Sequence, residues 1–360
     1  MMVTKQTRKS SQEIKEKILT NLKESPLSTK QLSELLGSNW STINNYLDEL
    51  KKEGLVKEIY SRENLKVYIR SDYPVFYGIP LDKKKLNDSV FLLSEIIKKW
   101  QEKHKEIISK TAMQKVAVEV ILKNNLDIPI VRFHYGKVLT AYLEPEKYQE
   151  IIKVYEIKEP YNSEIITKAV KKEIEQGNHS NIAWKEKKNQ YETHEDMKIF
   201  QLSDNLIYTL SKDNVKHKDI MSLVYDIFLK IPSSEDYSYL FNKYQDFIDA
   251  LTFIFNSKEF NESEENKQHF LRDIIEVFNS LWQALNTTFF FNDIQRFICK
   301  DYQEIFYFIK DSKINPLYTE VDDKVNNLSE YKKHLTLNEI KLSALGQKIY
   351  NILLEGADEE

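Results

Sequence analysis

The sequence predicts a mostly α-helical protein, and two features of its 360 residues lead to that class. Seven glycines and eight prolines offer few turn-forming positions, whereas Leu, Ile, Lys and Glu, which favour helices or helical faces, are frequent. Apolar residues also recur at helical spacing through most of the chain. A chain of this length is long enough for two or three domains with buried cores.

The distribution of glycine and cysteine excludes several kinds of site. The seven glycines stand alone, at positions 37, 54, 78, 136, 177, 346 and 356. This spacing excludes the phosphate-binding loops GxGxxG and GxxxxGK[ST], which need at least two glycines within six positions. The single cysteine, Cys299, can form neither an internal disulfide nor a zinc site built from cysteines. Because no run approaches the roughly 18 apolar residues of a membrane span and the N-terminus lacks the apolar core of a signal peptide, we expect a cytoplasmic protein without membrane contact.

The first two helices are predicted from their capping residues. Ser10 precedes Glu13, and Ser28 precedes Gln31, at the spacing of a capping box, in which the serine accepts a hydrogen bond at the helix start. Gly37 then provides a residue that tolerates the left-handed conformation at a helix end. Two short helices are therefore expected before residue 38.

A third helix and a β-hairpin follow. Four apolar residues with helical spacing predict the buried stripe of the third helix: Trp40, Ile43, Leu47 and Leu50. Gly54 ends that helix. The segments VKEIYS and KVYIR alternate apolar and polar residues around RENL, so residues 56–70 are expected to form a two-stranded hairpin. The predicted order is helix, helix, turn, helix, hairpin.

The outward face of the third helix carries short polar side chains where a solvated helix usually carries Glu and Lys. These residues lower helix propensity, but their amides and hydroxyls can bind base edges and phosphates. The candidate base-contacting residues are Asn39, Ser41, Thr42, Asn44, Asn45 and Tyr46. The alternative is an ordinary solvated face in a chain rich in Asn and Lys.

Basic residues flank this face in the sequence and are candidates for phosphate contacts that weaken with salt. They are Lys30, Lys51, Lys52, Arg62 and Lys66, with Arg8 and Lys9 in the N-terminal arm. Residues 1–70 hold 13 Lys and Arg against 9 Asp and Glu, a net +4, whereas residues 201–360 hold 17 against 27, a net −10. This asymmetry is typical of a basic binding module attached to an acidic body.

Residues 10–72 resemble a winged helix-turn-helix, and the stretch STINNYLDELKKEGLV resembles the recognition helix and following strand of MarR-like and ArsR-like prokaryotic regulators, many of them archaeal. The resemblance implies a third helix that enters the major groove of double-stranded DNA and a hairpin that lies along the backbone or minor groove. It covers only this part of the chain. A winged helix can also bind protein.

Residues 73–125 are expected to contain a hinge and a long helix. The segment SDYPVFYGIPLD, with two prolines and a glycine, is the predicted hinge after a DNA-binding domain at residues 1–72. One helix is expected from Leu86 to about Asn124. Its apolar residues have heptad spacing: Leu86, Val90, Leu93, Ile97, Trp100 and Ile107. This seam fits either a dimerising helix or a helix packed within its own chain.

The remainder is divided into a mixed region at residues 126–200 and an α-helical domain at residues 201–360. In the first, DIPIVRFHYGKVLTAYL predicts a short hairpin, and WKEKKNQ predicts a solvated surface or a phosphate contact. In the second, polar turns are expected at SKEFNESEEN and KINPLYTEVDDK. The aromatic residues form either core or the lining of an effector pocket: Tyr237, Tyr244, Phe247, Phe278, Trp282, Phe289 and Phe306.

No motif for catalysis, metal binding or a cofactor is present. The pair His194-Glu195 lacks the second histidine of HExxH, and the neighbouring carboxylates Asp322 and Asp323 are expected in a solvated turn. The leading hypothesis is a non-enzymatic, homodimeric transcription regulator that binds double-stranded DNA, with a small-molecule or protein effector at the C-terminal domain. The alternative is a winged-helix interaction or scaffold factor, and a hidden helical active site ranks third.

Overall fold

The structure is a computed structural model, and it describes residues 10–62, 65–134, 136–176, 187–188, 191–212, 216–298 and 300–337. Contacts between residues group the chain into two compact units. The first comprises Met1–Leu202 and Trp282–Thr319, and the second comprises Ser203–Leu281 and Glu320–Glu360. As the sequence predicts, the described chain is mostly helical, with helices and a small hairpin at the N-terminal end and many helices after them.

The N-terminal part of the first unit has the predicted element order. Its helices and strands are α1 (Ser11–Glu24), β1 (Leu27–Ser28), α2 (Thr29–Leu36), α3 (Trp40–Lys52), β2 (Val56–Arg62) and β3 (Leu65–Arg70). The strands form an antiparallel sheet of order β1-β3-β2, in which Leu27 pairs with Tyr68 and Val56 with Arg70. The two-residue strand β1 is an element that the sequence did not reveal, because it is too short for alternation to show.

Local chemistry sets the ends of these helices as expected. Ser28 and Gln31 form both hydrogen bonds of a capping box, with Ser28 Oγ accepting from the Gln31 N–H at 3.2 Å. Ser10 accepts from the N–H of Glu13 at 3.2 Å. Gly37 has a φ of 59° and ends α2 in the left-handed conformation, which costs glycine little.

Most of residues 73–81, within the segment predicted as a hinge, are buried, and Phe76 and Tyr77 are partly buried. Tyr73, Val75 and Ile79 are fully buried, and the N–H of Phe76 donates to the carbonyl of Thr140 at 3.3 Å. Gly78 has a φ of 70°, and a Cβ there would lie 3.3 Å from Cγ2 of Ile59. Apolar side chains of the hairpin, Ile59 and Ile69, cover this segment on one side.

Two helices stand where the heptad spacing predicts one. They are α4 (Lys83–His104) and α5 (Lys110–Asn124), and Lys105, with a φ of 59°, ends the first. Ser109 caps the second by accepting from the N–H of Ala112 at 3.2 Å. The expectation of a single helix is therefore wrong, and Ile107 of the predicted seam lies exposed between the two helices.

The seam residues of α4 lie within the core of their own chain. Leu86, Val90, Leu93, Ile97 and Trp100 are all buried in the main hydrophobic cluster of the first unit. Of the two predicted alternatives, a dimerising helix and a helix packed within its own chain, α4 corresponds to the second. The remaining elements of this part are the predicted hairpin β4 (Ile130–Phe133) and β5 (Gly136–Leu139), and the helices α6 (Tyr148–Val154) and α7 (Ser163–Gln176).

The rest of the described chain is helical. Its helices are α8 (Lys198–Leu210), α9 (His217–Phe228), α10 (Ser238–Phe255), α11 (Lys258–Glu262), α12 (Glu264–Ile294) and α13 (Gln303–Glu330). The polar turn expected at KINPLYTEVDDK is wrong, because α13 continues through Pro316. Buried residues on either side of it, such as Ile309 and Val321, offset the cost of a proline inside a helix. The other expected turn, SKEFNESEEN, contains the short helix α11.

The aromatic residues proposed as core or pocket lining are buried in each unit, which favours the core alternative. These are Tyr237, Tyr244, Phe247, Phe278, Trp282, Phe289 and Phe306. Asp322, expected in a solvated turn, lies on α13 and pairs with Lys243 at 2.9 Å. Several predicted features lie outside the described residues: Cys299, the basic arm residues Arg8 and Lys9, most of WKEKKNQ, and the part of the predicted α-helical domain beyond Leu337.

Candidate nucleic-acid interface

Helix α3 has one buried face and one open face. Ile43 and Leu47 are fully buried, and Leu50 nearly so, in a compact core that α1, α2 and the sheet also line. The Asn39 side chain caps the helix start by accepting a hydrogen bond from the N–H of Ser41 at 2.8 Å. The cap and the buried stripe together fix how the helix is rotated, which decides which side chains meet solvent.

Trp40 is half exposed, so its predicted place in the buried stripe is wrong. Its exposed fraction is 50%, and it is absent from the side chains that pack against the winged-helix core. At about 100° per residue, Trp40 lies about 60° around the helix from Ile43 and one turn before it, at the very start of α3. Spacing alone does not reveal that the core ends before this position.

The predicted base-contacting residues fall into two groups. Ser41 and Asn45 are exposed and point away from the buried face, and Thr42 is partly exposed beside them. By rotation from Ile43, Ser41 and Asn45 lie at about 160° and 200°, which is the centre of the outward face. Both belong to the N-terminal half of α3, the part of a recognition helix that contacts base edges.

The other three candidates have structural partners. The side-chain oxygen of Asn39 accepts the hydrogen bond that caps α3. The amide of Asn44 donates to Asp48 at 3.5 Å, and its Oδ1 is buried with no donor among the described residues. Tyr46 is partly buried and packs against the winged-helix core. These side chains are less available to a ligand than Ser41 and Asn45.

The predicted phosphate-contacting residues also differ from one another. Lys30 at the start of α2 and Arg62 at the end of β2 are exposed and make no ion pair with any described residue. Lys66 on β3 is partly exposed. Lys51 instead pairs with Glu58 of β2 at 3.1 Å. Although burial raises the pKa of Glu58, hydrogen bonds from Lys51 and Ser61 outweigh that effect and hold its pKa below the ordinary value.

Acidic residues lie in the C-terminal half of α3 and at its C-cap, Glu53, and one lysine pairs with two of them. Lys15 of α1 pairs with Glu49 at 2.9 Å and with Glu53 at 2.8 Å. The hydrogen bonds to Glu53 and Glu49 raise the pKa of Lys15. This contact is not among the predicted ones, although the four-residue spacing of the two glutamates is a signal that a single cation could meet both. Asp48 is exposed nearby.

The hairpin is fastened to the helices that follow it. Arg70, the last residue of β3, donates to both carboxylate oxygens of Asp72 at 2.8 and 2.7 Å, and the hydroxyl of Tyr155 donates to Asp72 at 3.0 Å. On β2, the ring of Tyr60 stacks on Phe308 with the centroids 5.1 Å apart. The wing is therefore held by residues that follow it in the chain, while α3 keeps its open face.

Three helices, a capped third helix with an open polar face and a hairpin wing define a winged helix-turn-helix. Residues 13–58 match the family model described as bacterial regulatory protein, arsR family. The predicted resemblance over this segment is confirmed, and the match supports DNA binding and transcription regulation as its class of function. No curated protein and no solved structure matches the chain.

Two further observations concern the described residues alone. No helix among them is long and apolar enough to cross a membrane. Within the same part of the chain, no group of three or more His, Cys, Asp or Glu residues is arranged to hold a metal ion.

Proposed function

We propose that the chain is a sequence-specific, cytoplasmic regulator that binds double-stranded DNA, with the N-terminal half of α3 in the major groove. The single observation that carries the proposal is the exposure of Ser41 and Asn45 on the open face of α3, within a segment that matches the arsR family model. Hydroxyl and amide groups bind base edges, and asparagine fits the N6 and N7 edge of adenine. Lys30 and Arg62 supply phosphate contacts beside them.

The test begins with a duplex selected from a random library on the full-length protein. Asn45→Ala and Ser41→Ala each weaken binding to that duplex by about 1 to 3 kcal/mol, because a lost base contact costs this much. Asn205→Ala is the matched control, since Asn205 is an exposed asparagine on a helix outside the winged-helix segment. Fluorescence anisotropy at fixed salt measures the affinities.

Phosphate contacts are tested by salt dependence. Arg62→Ala lowers the slope of log K against log salt by about 1, whereas Lys218→Ala, an exposed lysine on α9, leaves the slope unchanged. Unchanged duplex affinity in both α3 variants, together with an unchanged slope in Arg62→Ala, would contradict the proposal.

The proposal includes a homodimer, which places two winged helices at half-sites roughly 34 Å apart on the duplex. The seam of α4 does not provide the contact, because its residues are buried in their own chain. The later helices are the proposed site of dimerisation and of a small-molecule or protein effector. Sedimentation equilibrium with and without the selected duplex measures the oligomeric state, and a single chain per duplex would contradict the dimer.

A second candidate function is protein binding by the winged helix. Leu35 and Leu55 are exposed apolar residues of this segment, with exposed fractions of 61% and 43%. Exposed apolar side chains favour a protein partner when they are contiguous. Capture of a defined partner that Leu35→Asp abolishes, without any salt-sensitive duplex binding, would favour this candidate over the first.

A further inference from the structure

Trp40 is a large apolar side chain exposed at the start of the candidate recognition helix. It is the first residue of α3, and half of its surface is open to solvent. Trp100 and Trp282 are both buried, as the size of an indole favours. Leaving a tryptophan half exposed forgoes burial that the fold obtains at these other positions, so a structural role does not explain its exposure.

The position of Trp40 joins it to the proposed base-contacting face. Around α3, Trp40 lies at about 60° from Ile43, Asn44 at about 100°, Ser41 at about 160° and Asn45 at about 200°. The indole thus extends one edge of the exposed arc that begins at the helix start. Its side chain and those of Ser41 and Asn45 belong to the first two turns of the helix, which are the turns that reach base edges.

The chemistry of the indole selects among the features of a major groove. Its ring is apolar, and its only hydrogen-bonding group is the Nε1–H, which donates and cannot accept. Base edges in the major groove are polar except for the C5-methyl group of thymine, which binds apolar side chains. An indole beside a serine and an asparagine therefore complements a thymine next to bases that are read by hydrogen bonds.

We propose that Trp40 is a specificity-determining residue that packs against thymine methyl groups in the major groove, so that the bound duplex carries thymine beside the bases contacted by Ser41 and Asn45. This inference rests on the proposed function. It differs from that function in naming an apolar contact and the base that the contact selects.

The experiment removes the methyl group from the DNA rather than only the side chain from the protein. In the duplex selected from a random library on the full-length protein, each thymine is replaced in turn by deoxyuridine, which lacks only the C5-methyl. The wild-type protein loses about fourfold in affinity at one or more positions, the loss that corresponds to burial of one methyl group. Trp40→Ala binds the thymine and uracil duplexes equally, and Trp40→Phe retains part of the preference.

The controls separate a local effect from a general one. Tyr225→Ala is the matched variant, because Tyr225 is an aromatic residue of α9 with an exposed fraction of 46%, close to that of Trp40. It keeps the full thymine preference. Leu35→Ala tests whether any exposed apolar residue near the turn has the same effect, and it too keeps the preference. Circular dichroism confirms that each variant is folded, and Trp40→Phe carries the test if Trp40→Ala is not.

Three results would overturn the inference. The first is a thymine preference that is the same in Trp40→Ala as in the wild type. This result would reject the role of Trp40 but not the proposed DNA binding. The second is a wild-type protein that does not distinguish thymine from uracil at any position. The third is the absence of any selected duplex, which rejects the proposed function together with this inference.

Discussion

Helices α3 and α4 both carry apolar residues at helical spacing and polar residues between them, yet their polar residues have opposite surroundings. On α3, Ser41 and Asn45 are exposed opposite a single buried face. On α4, even Ser89 and Glu95 are buried, and the carboxylate of Glu95 accepts a hydrogen bond from Thr167 at 3.0 Å. The same kind of sequence pattern thus occurs in α3, whose polar face is exposed to solvent, and in α4, whose polar residues are partly buried by other parts of the chain.

The difference shows what a polar residue on a helix can be used for. A buried polar group has to be hydrogen bonded within the chain, and that requirement ties it to stability. An exposed one contributes little to stability and is free for a ligand. We therefore expect substitutions on α4 to change the free energy of unfolding and substitutions on the open face of α3 to change binding.

The largest effect on stability is expected in the core of α4. Leu93→Ala lowers the free energy of unfolding by about 2 to 5 kcal/mol, because Leu93 is fully buried and the substitution leaves a cavity. Lys98→Ala, an exposed position on the same helix, changes it by less than about 0.5 kcal/mol. Urea denaturation followed by circular dichroism measures both. Equal midpoints for the two variants would show that α4 is not covered as described.

A smaller effect is expected where the wing is fastened to Tyr155. Asp72→Asn lowers the free energy of unfolding at neutral pH by about 1 to 2 kcal/mol, since it weakens hydrogen bonds between charged groups that are partly exposed. Burial raises the pKa of Asp72, but the bonds from Arg70 and Tyr155 outweigh it, so the pKa lies below the ordinary value.

The pH dependence of this contact follows from the lowered pKa. A carboxyl group whose pKa is lower in the folded state stabilises the protein fully above its unfolded pKa of about 3.9, and the stabilisation is lost as the pH falls through the folded value. The difference between wild type and Asp72→Asn therefore shrinks below about pH 5. Asp226→Asn, an exposed carboxylate on α9, is the control. A difference that grows on acidification would contradict the assignment.

Local chemistry made part of this fold predictable. The capping residues Ser10 and Ser28, the left-handed Gly37 and the alternation in the two hairpins each act within a few residues, so the sequence shows them directly. For the candidate site, the same logic identified α3 and the open position of Asn45. It identified the helix and its polar face, but not which side chains on that face have partners of their own.

The errors concern features that neither the spacing of apolar residues nor the turn-forming residues determine. Lys105 ends α4 in a left-handed conformation without glycine, so no turn-forming residue marks the break in the sequence. Pro316 lies inside α13, where the sequence predicts a polar turn. Exposure of Trp40 likewise depends on where the surrounding core ends. The spacing of neighbouring residues predicts neither the helix break, nor the proline inside a helix, nor the exposure of Trp40.

The cap of α3 offers a further comparison within the candidate site. Asn39→Ala lowers the free energy of unfolding by about 1 kcal/mol, because the N–H of Ser41 loses its acceptor. Asn39→Ser keeps a capping oxygen and restores most of the stability. Thermal unfolding measures both variants. If Asn39→Ser unfolds like Asn39→Ala yet both bind the selected duplex normally, the described cap is not the role of this residue.

The smallest effect on stability is expected at Asn45, and it is the sharpest test of the comparison. Asn45 is exposed near the middle of α3 with no hydrogen bond to any described side chain, and alanine has the higher helix propensity. Asn45→Ala therefore changes the free energy of unfolding by less than about 0.5 kcal/mol, or raises it slightly. A loss above about 2 kcal/mol in urea denaturation would place Asn45 in a packed environment like that of α4. An unchanged midpoint together with weakened duplex binding would instead support the difference in exposure between α3 and α4. Asn45 would then be a residue whose cost in helix propensity is offset only when a ligand is bound.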